Sequence, residues 1–330
     1  MVSTLGDDML SKIRRTPNGA KAEEQDWEDD DGMRAGAFSN APSTVDMASS
    51  LAPHGTQVRP NGVTYHPRSV AGAFEDVALL RSAREHQEHV LFYGPPGTGK
   101  TALCEAAFAQ NTTGTNDGLE TIVGTADTTE SDFVGTFVED PATKAWAWQP
   151  GPLHRSVLHN VPLLVDEIAL VETRVLSVLY PLMDGRGVLR FPMNPQLEPL
   201  TVGKGWFVIA AFNPDVPGAR MSEALVDRFE HHIEVGTDWD LAENLGVPKD
   251  IIIVARNLDG RRRNGDLTWS PQLRSLLSFA RHEQRRGREY ALANLLGKVP
   301  PEDRDEVHGV LTKALGVVIH PLKLGRQVAS

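Results

Sequence analysis

One short stretch limits the fold of this chain more than any other. Residues 89–101 read as an apolar strand, a turn rich in glycine and proline, and then Gly99-Lys100-Thr101 at the start of a helix. The turn fits the pattern G-x-x-x-x-G-K-[ST], which between a strand and a helix is a phosphate-binding loop. The alternative is an ordinary turn. The spacing, the Lys-Thr pair and the flanking elements all favour the phosphate loop.

Each residue type in this loop has a predicted role in holding a nucleotide. The glycines let the backbone turn tightly and aim N–H groups at phosphate oxygens, and the helix N-terminus adds its positive dipole end. Lys100 is expected to reach the β- and γ-phosphates, and the Thr101 hydroxyl to ligate Mg²⁺. The predicted nucleotide-binding residues are Gly94, Pro95, Pro96, Gly97, Thr98, Gly99, Lys100, Thr101 and Ala102.

The composition indicates a soluble globular protein. Of the 330 residues, 40% are hydrophobic and 23% are charged, which suits one large domain and one small one. No apolar run reaches the length of a membrane span, and the N-terminus lacks a signal-peptide pattern. The single cysteine, Cys104, suits a reducing compartment, so we predict a cytoplasmic location and no membrane contact. The net charge of −11 argues against a generally basic nucleic-acid binder, although it leaves room for a local basic patch.

The first 58 residues differ in composition from the rest. Gly, Pro, Ser and Asp are frequent there, large apolar residues are sparse, and residues 23–31 form an acidic run around Trp27. Such a segment buries too little apolar surface to offset its ordering entropy. We predict a disordered tail over residues 1–58. A solvated leader without a role and a docking peptide anchored by Trp27 both stay open.

From residue 59 onward the pattern predicts alternating strands and helices. A helix with apolar Phe74, Val77, Leu80 and Ala83 is followed by strands at 89–93, 119–123, 161–165, 206–212 and 231–235. Between them lie helices at 101–110 and 175–183 and a hairpin at 185–205. This order predicts an α/β fold with a doubly wound parallel sheet over residues 59–236, with ligands at the carboxyl ends of its strands. Four later helices, roughly at 238–245, 249–257, 271–286 and 301–315, predict a small helical lid and a tail over residues 237–330.

Acidic residues close one of the predicted strands. Residues 161–165 form a continuous apolar run, which is typical of a parallel strand buried on both faces, and Asp166 and Glu167 follow directly. A carboxylate here can hold the hydration shell of Mg²⁺ opposite Thr101, and its neighbour can position an attacking water. We predict Thr101 and Asp166 at the metal site and Glu167 as a catalytic residue. The alternative is a strand end that carries acids without a role.

Asn213 ends the next predicted core strand. An uncharged side chain beside the γ-phosphate can orient water and sense the phosphate, and the position of Asn213 after the Asp-Glu strand favours this role. The alternative is a simple turn, because Asn-Pro is a common turn signal.

Two arginines complete the predicted catalytic set. Arg228 belongs to a short helix with Ser222 as its N-cap, and we predict it as an arginine finger inserted into a neighbouring subunit's site. Arg220 is its nearest competitor, and a surface ion pair is the alternative. Arg274 lies in the first turns of a lid helix, after Pro271. It is expected to reach the γ-phosphate and couple the lid to the nucleotide, with a surface arginine as the alternative.

In this order the motifs resemble those of the AAA+ ATPases, and in particular the MoxR-type branch. That branch is also called the dynein-related AAA subfamily and includes the CbbQ, NorQ and GvpN ATPases. The resemblance covers about residues 65–315, and the lid departs from it, since the family often has Ser-Pro-Arg where this chain has Gln272 after Pro271. The four stretches that carry the closer resemblance are residues 129–137, 148–153, 185–205 and 222–229.

The resemblance implies a homo-oligomeric ATPase, usually a hexameric ring, with ATP and Mg²⁺ bound between subunits. Such proteins are chaperones that remodel or activate a client protein, often together with a von Willebrand A-domain partner. Phe133 would then face the central pore, and a core position is its alternative.

Two other classes of function compete with this interpretation. A nucleotide-gated scaffold without turnover is disfavoured because Lys100, Asp166, Glu167 and Arg228 are all present. A nucleic-acid motor or nuclease-associated NTPase is favoured only by a set of C-terminal arginines, and a solvated or subunit-contacting face fits the acidic total better. The set is Arg256, Arg261, Arg262, Arg263, Arg281, Arg285, Arg286 and Arg288.

Overall fold

The computed structural model describes residues 55–70, 72, 74–110 and 118–323. Its strands are β1 (Gln57–Val58), β2 (Thr64–Tyr65), β3 (Ser69–Val70), β4 (Phe74–Glu75), β5 (Val90–Tyr93), β6 (Glu120–Val123), β7 (Gly135–Glu139), β8 (Trp146–Pro150), β9 (Leu163–Asp166), β10 (Val188–Leu189), β11 (Leu200–Thr201), β12 (Val208–Phe212) and β13 (His231–Glu234).

The α-helices are α1 (Asp76–His86), α2 (Lys100–Phe108), α3 (Glu130–Val134), α4 (Pro152–His159), α5 (Thr173–Leu176), α6 (Tyr180–Met183), α7 (Glu223–Val226), α8 (Trp239–Asn244), α9 (Lys249–Arg263), α10 (Leu273–Arg286), α11 (Arg288–Leu296) and α12 (Arg304–Leu315). Three 3₁₀ turns lie at Ile168–Leu170, Ser177–Leu179 and Pro301–Asp303.

A parallel five-stranded sheet in the order β13-β5-β12-β9-β6 organises the large domain. Phe212 of β12 pairs with Tyr93 of β5, and Ala211 pairs with Asp166 of β9. The carboxyl ends of these three strands therefore meet at one edge of the sheet. Since β5, the first of the five in the chain, lies between the last two, this edge is a topological switch point, where open α/β sheets bind ligands.

Both faces of the sheet are covered. Val90 and Phe92 point to a core shared with α1 and α2, which contribute Leu80 and Leu103. Leu91 points to a second core on the opposite face. Successive side chains of a strand alternate between faces, so a strand that is covered on both sides is apolar throughout. Helices on both faces of a parallel sheet are the doubly wound α/β arrangement, and the predicted fold class is confirmed.

Helices α8 to α12 pack around a third core. Leu258, Phe279, Leu292 and Leu311, from four of these helices, are each at most 3% exposed within it. This core is separate from the two cores of the sheet, and the described residues after the boundary predicted near residue 236, 237–323, are called the lid below. In the described ranges, none of the helices combines the length and apolar character that a bilayer span requires.

Several local predictions differ from the structure. Phe74 lies in β4 and is exposed, because α1 begins two residues later. The helix predicted over 175–183 is broken into α5, a 3₁₀ turn and α6, since Pro181 has no N–H to continue it. Hairpin β7–β8 and helix α11 were not predicted. Gln57 and Val58, predicted in the tail, pair with β2. Residues 1–54, with Trp27, lie outside the described residues.

Candidate nucleotide-binding site

The predicted phosphate loop joins β5 to α2 at the switch point of the sheet. Gly94, Gly97 and Gly99 all have positive φ, at 141°, 83° and 96°. A Cβ atom on Gly94 would lie 2.5 Å from the carbonyl oxygen of Val235, and one on Gly97 would lie 3.1 Å from the Cβ of Arg274. The loop therefore needs glycine both for its backbone angles and for the close approach of its neighbours.

Lys100, the first residue of α2, is buried within the loop. Its Nζ donates hydrogen bonds to the carbonyl oxygens of Gly94 at 2.8 Å and Pro95 at 3.0 Å. Burial lowers the pKa of this ammonium group, while the nearby carboxylates of Glu167 and Asp166 raise it. The loop and the acidic strand end are thus close enough to interact electrostatically, as the sequence predicted.

Thr101 and Asp166 are in direct contact. The Thr101 hydroxyl donates a hydrogen bond to Oδ2 of Asp166 at 2.7 Å, across the gap between α2 and the end of β9. A hydroxyl and a carboxylate oxygen are the hard ligands that Mg²⁺ prefers, and a few protein ligands suffice because Mg²⁺ keeps several waters and substrate phosphates. This pair fits the predicted metal site.

Glu167 turns the chain away from the sheet. It has φ 53° and ψ 39°, which is left-handed and uncommon for a residue with a side chain, and its N–H donates to Oδ1 of Asp166 at 3.1 Å. The half-buried Glu167 side chain lies near Lys100. Non-glycine residues held in such conformations are concentrated at functional sites.

Asn213 follows β12 and is only 7% exposed. Its Oδ1 accepts a hydrogen bond from the N–H of Asp215 at 3.1 Å. Because the turn uses the oxygen of this amide, its NH₂ group is the end that can donate to a phosphate or a water. Asn213 lies at the same edge of the sheet as Asp166, as the strand register requires.

Arg274 reaches the phosphate loop from the lid. Its backbone N–H donates to the carbonyl oxygen of Gly97 at 3.0 Å, and its charge acts to lower the pKa of Lys100. Gln272, at the position where the family often has arginine, is buried instead and bonds Thr237 and Asp259. The displaced Arg274 is therefore the lid arginine that lies beside the loop.

Arg228 is bound within its own subunit. It donates to the carbonyl oxygen of Ala224, lies 3.5 Å from the carboxylate of Asp184, and stacks over the Tyr180 ring with its Cζ 4.3 Å from the centroid. Among the described residues, these contacts do not include the phosphate loop. Arg220, the competing finger, has an exposed side chain.

Phe133 is fully buried in the core, so the expectation that it faces a pore is wrong. The helix α3 that carries it packs against α4, and the apolar side chains that reach solvent belong to the following hairpin, β7–β8. Trp146 is 66% exposed, Val138 49% and Phe137 40%. The alternation of Ala145-Trp146-Ala147-Trp148 is a strand signal that could have located this hairpin.

Sequence patterns missed Arg68. Its Nη1 donates to the carbonyl oxygen of Thr98, inside the phosphate loop, at 2.8 Å. No motif marks this residue, because the contact spans thirty positions and depends on how the segment before α1 folds back.

Comparison with known proteins agrees with this geometry. Residues 89–229 match the family model described as an AAA domain of the dynein-related subfamily. This match, together with the similarity to NorQ given below, supports the predicted AAA+ ATPase of the MoxR type. The match begins just before β5 and ends at Phe229, so this AAA+ segment contains the phosphate loop, the Asp-Glu strand, Asn213 and Arg228.

The chain is similar to three proteins of known name, and it covers a different share of the length of each. Protein NorQ of Paracoccus denitrificans (strain Pd 1222) is 28% identical over 206 residues, which are 61% of this chain and 70% of NorQ. Midasin of Dictyostelium discoideum is 32% identical over 98 residues, 29% of this chain and 2% of midasin. The Holliday junction branch migration complex subunit RuvB of Rickettsia africae (strain ESF-5) is 32% identical over 108 residues, 33% of this chain and 25% of RuvB. The predicted family and ATPase activity are confirmed.

Proposed function

We propose that this ATPase hydrolyses ATP with Mg²⁺, assembles into a homo-oligomeric ring in which each site needs a neighbouring subunit, and uses the energy to remodel or activate a partner protein. The observation that carries the catalytic part is the 2.7 Å contact between Thr101 and Asp166, with Lys100 and Glu167 beside it. Thr101 and Asp166 offer two oxygen ligands for a metal ion. Lys100 offers a positive charge for the phosphates, and Glu167 offers a carboxylate that can bind the attacking water.

The residues divide the work of hydrolysis between them. Lys100 pairs with the β- and γ-phosphates, and Glu167 orients the attacking water and takes up its proton. The Asn213 amide donates to the γ-phosphate or the water. Thr101 directly, and Asp166 through water, would hold Mg²⁺, which when bound supplies charge neutralisation at the phosphate oxygens.

Replacing Lys100 tests the nucleotide site. Lys100→Ala removes the only lysine of the loop, and we expect calorimetry to find no ATP binding up to concentrations that saturate the wild type. Lys204→Ala, at an exposed position, is the control and should bind normally. ATP affinity like that of the wild type in Lys100→Ala would overturn the assignment of the loop.

The position of the predicted arginine finger supports the proposal that the protein forms a ring. In the described part of the chain, Arg228 contacts Ala224, Asp184 and Tyr180 rather than the phosphate loop, and Arg220 is exposed. In enzymes that use an arginine finger the arginine can come from another chain, and here a neighbouring subunit would supply it. Sedimentation of the protein with ATP should give a homo-oligomer, with a hexamer expected.

Hairpin β7–β8 is the element that we assign to the client protein. In its register Phe137 pairs with Trp148, and the two rings pack together. Trp146 lies two residues from Trp148, on the same face of the hairpin, and is exposed to solvent. A Trp146→Ser variant should keep basal ATPase activity and lose client capture in a pull-down that uses Glu167→Gln as a trap. Equal capture with and without Trp146 would exclude this contact. A von Willebrand A-domain protein is the partner to test first.

Ion pairing disfavours the nucleic-acid alternative. Five of the eight arginines proposed for it are paired with carboxylates within the lid or the large domain: Arg256, Arg261, Arg262, Arg263 and Arg288. If the lid nevertheless binds DNA or RNA, log affinity should fall linearly with log salt. Absence of binding at about 50 mM salt with ATP present would eliminate the motor hypothesis.

A further inference from the structure

The segment before α1 reaches the phosphate loop through Arg68. Nη1 of Arg68 donates a hydrogen bond to the carbonyl oxygen of Thr98 at 2.8 Å. Thr98 is fully buried and lies between Gly97 and Gly99. This is a contact with the main chain of the loop, made by a charged side chain from outside it.

Tyr65 and Asp76 hold Arg68 in place. Nε of Arg68 donates to the Tyr65 hydroxyl at 3.1 Å and to Oδ2 of Asp76 at 3.2 Å, and the Tyr65 hydroxyl donates to the same Oδ2. Oδ1 of Asp76 accepts the N–H groups of Arg68 and Val77 at 3.1 and 2.9 Å. The three side chains are buried or nearly so. A buried ion pair with both carboxylate oxygens satisfied is tightly oriented, and the direction of the guanidinium group is therefore set.

The bond to Thr98 also orients an N–H group. The carbonyl of Thr98 and the N–H of Gly99 belong to one planar trans peptide, so they point in opposite directions. Glycine adopts positive and negative φ with similar ease, and Gly99 has φ 96°. Gly99 itself therefore restricts the rotation of this peptide little, and the bond from Arg68 is a contact from outside the loop that favours one direction of the N–H.

We propose that Arg68 is a positioning residue for the nucleotide: it holds the Thr98–Gly99 peptide so that the Gly99 N–H faces the phosphates. Backbone N–H groups of such loops are the donors that cradle phosphate oxygens. The proposal rests on the assignment of this loop as the ATP site. Arg68 acts on the affinity for nucleotide without touching the nucleotide.

A matched pair of variants tests this role. Arg59 lies in the same segment as Arg68, but its guanidinium binds Glu105, farther along α2. We expect Arg68→Gln to raise the Kd of ATP in calorimetry about tenfold or more, the scale of one lost hydrogen bond to a charged group. Arg59→Gln should stay within about twofold of the wild type. KM should rise while kcat changes little, because the N–H group binds the phosphates in the ground state and the transition state alike.

Further variants separate positioning from folding. Loss of Arg68 alone leaves Asp76 buried and unpaired, which destabilises a protein by itself. The double variant Arg68→Met/Asp76→Asn removes both charges, and its thermal unfolding without nucleotide reports whether it folds. Arg68→Lys, which can reach one acceptor, should recover part of the affinity. A folded double variant with the ATP affinity of the wild type overturns the proposal.

The failure of this proposal can be told apart from failure of the ATP site itself. If Lys100→Ala loses ATP binding while the folded double variant keeps it, the loop is the nucleotide site and Arg68 does not position it. If Lys100→Ala also binds ATP normally, the assignment of the loop is wrong, and the role of Arg68 is overturned with it.

Discussion

The N–H of Arg274 donates a hydrogen bond to the carbonyl oxygen of Gly97 at 3.0 Å, which joins the lid directly to the phosphate loop. The contact is close, because a Cβ on Gly97 would lie 3.1 Å from that of Arg274. The start of α10 in the lid therefore contacts the phosphate loop directly.

Arg274→Ala should separate binding from turnover. The variant keeps the backbone bond to Gly97 and loses the guanidinium group, so we expect ATP binding to change by less than about threefold and kcat to fall on the order of tenfold or more, as for loss of a transition-state charge contact. Steady-state kinetics measure both. Arg281→Ala, an exposed arginine on the same helix, is the control and should behave like the wild type. An unchanged kcat in Arg274→Ala would show that Arg274 is a surface arginine without a role in hydrolysis.

The pH dependence of ATP binding should report on Lys100. Burial lowers its pKa, the carboxylates of Glu167 and Asp166 raise it, and Arg274 lowers it again, with a lowered pKa as the result. Only the charged ammonium pairs with phosphate, so affinity should fall as pH rises through this pKa, below the ordinary lysine value of about 10.4.

The Arg274→Ala variant tests whether the pH dependence of ATP affinity reflects the pKa of Lys100. Removing a positive charge raises the pKa of Lys100, so the fall in affinity should move to higher pH, and Arg281→Ala should leave it in place. Calorimetric titrations across the alkaline range, with unfolding followed in parallel, measure the shift. A fall at the same pH in both variants would show that Arg274 does not act on Lys100.

Glu167→Gln should bind ATP and hydrolyse it at least about a hundredfold more slowly, the scale for loss of a positioned base. The amide keeps the size of the side chain and removes its ability to take up a proton. The left-handed backbone at Glu167 is unaffected, so the fold should be unchanged, as thermal unfolding can check. Near-normal turnover would move the water-orienting role elsewhere, with Asn213 the first residue to test.

The sequence predicted the elements whose signals are local. The phosphate loop and the acidic strand end are short patterns in chain order, and the parallel sheet brings them together without further information, as the Thr101–Asp166 contact illustrates. The buried runs of β9 and β12 predicted strands because both faces of the sheet are covered.

Contacts between segments that lie far apart in the sequence could not be predicted from local patterns. Arg68 reaches Thr98 only because the segment before α1 folds back on the loop, and nothing in the spacing indicates this. The burial of Phe133 likewise depends on how α3 packs against α4 below an unpredicted hairpin. Arg274 was predicted to lie near the nucleotide, yet its bond to Gly97 is made by the backbone, which no residue pattern encodes.

The last prediction concerns Arg228, which in this structure is held by Ala224, Asp184 and Tyr180 of its own chain. To serve a neighbouring site the guanidinium must exchange these contacts, which are partly open to solvent, for the phosphates of the next subunit. We expect Arg228→Ala to bind ATP, since Lys100 is intact, and to lose hydrolysis because no guanidinium neutralises the developing charge.

Mixing this variant with Glu167→Gln distinguishes an intersubunit finger from a residue that acts within its own chain. An interface with an intact Glu167 and an intact Arg228 forms only when the two variants meet in one ring. Random mixing in equal amounts makes about a quarter of the interfaces of a cyclic ring complete, so about a quarter of the wild-type activity should return. Arg220→Ala mixed in the same way is the matched comparison. If mixed rings assemble and only the Arg220→Ala mixture regains activity, the finger is Arg220, and Arg228 stabilises its own subunit through Asp184 and Tyr180.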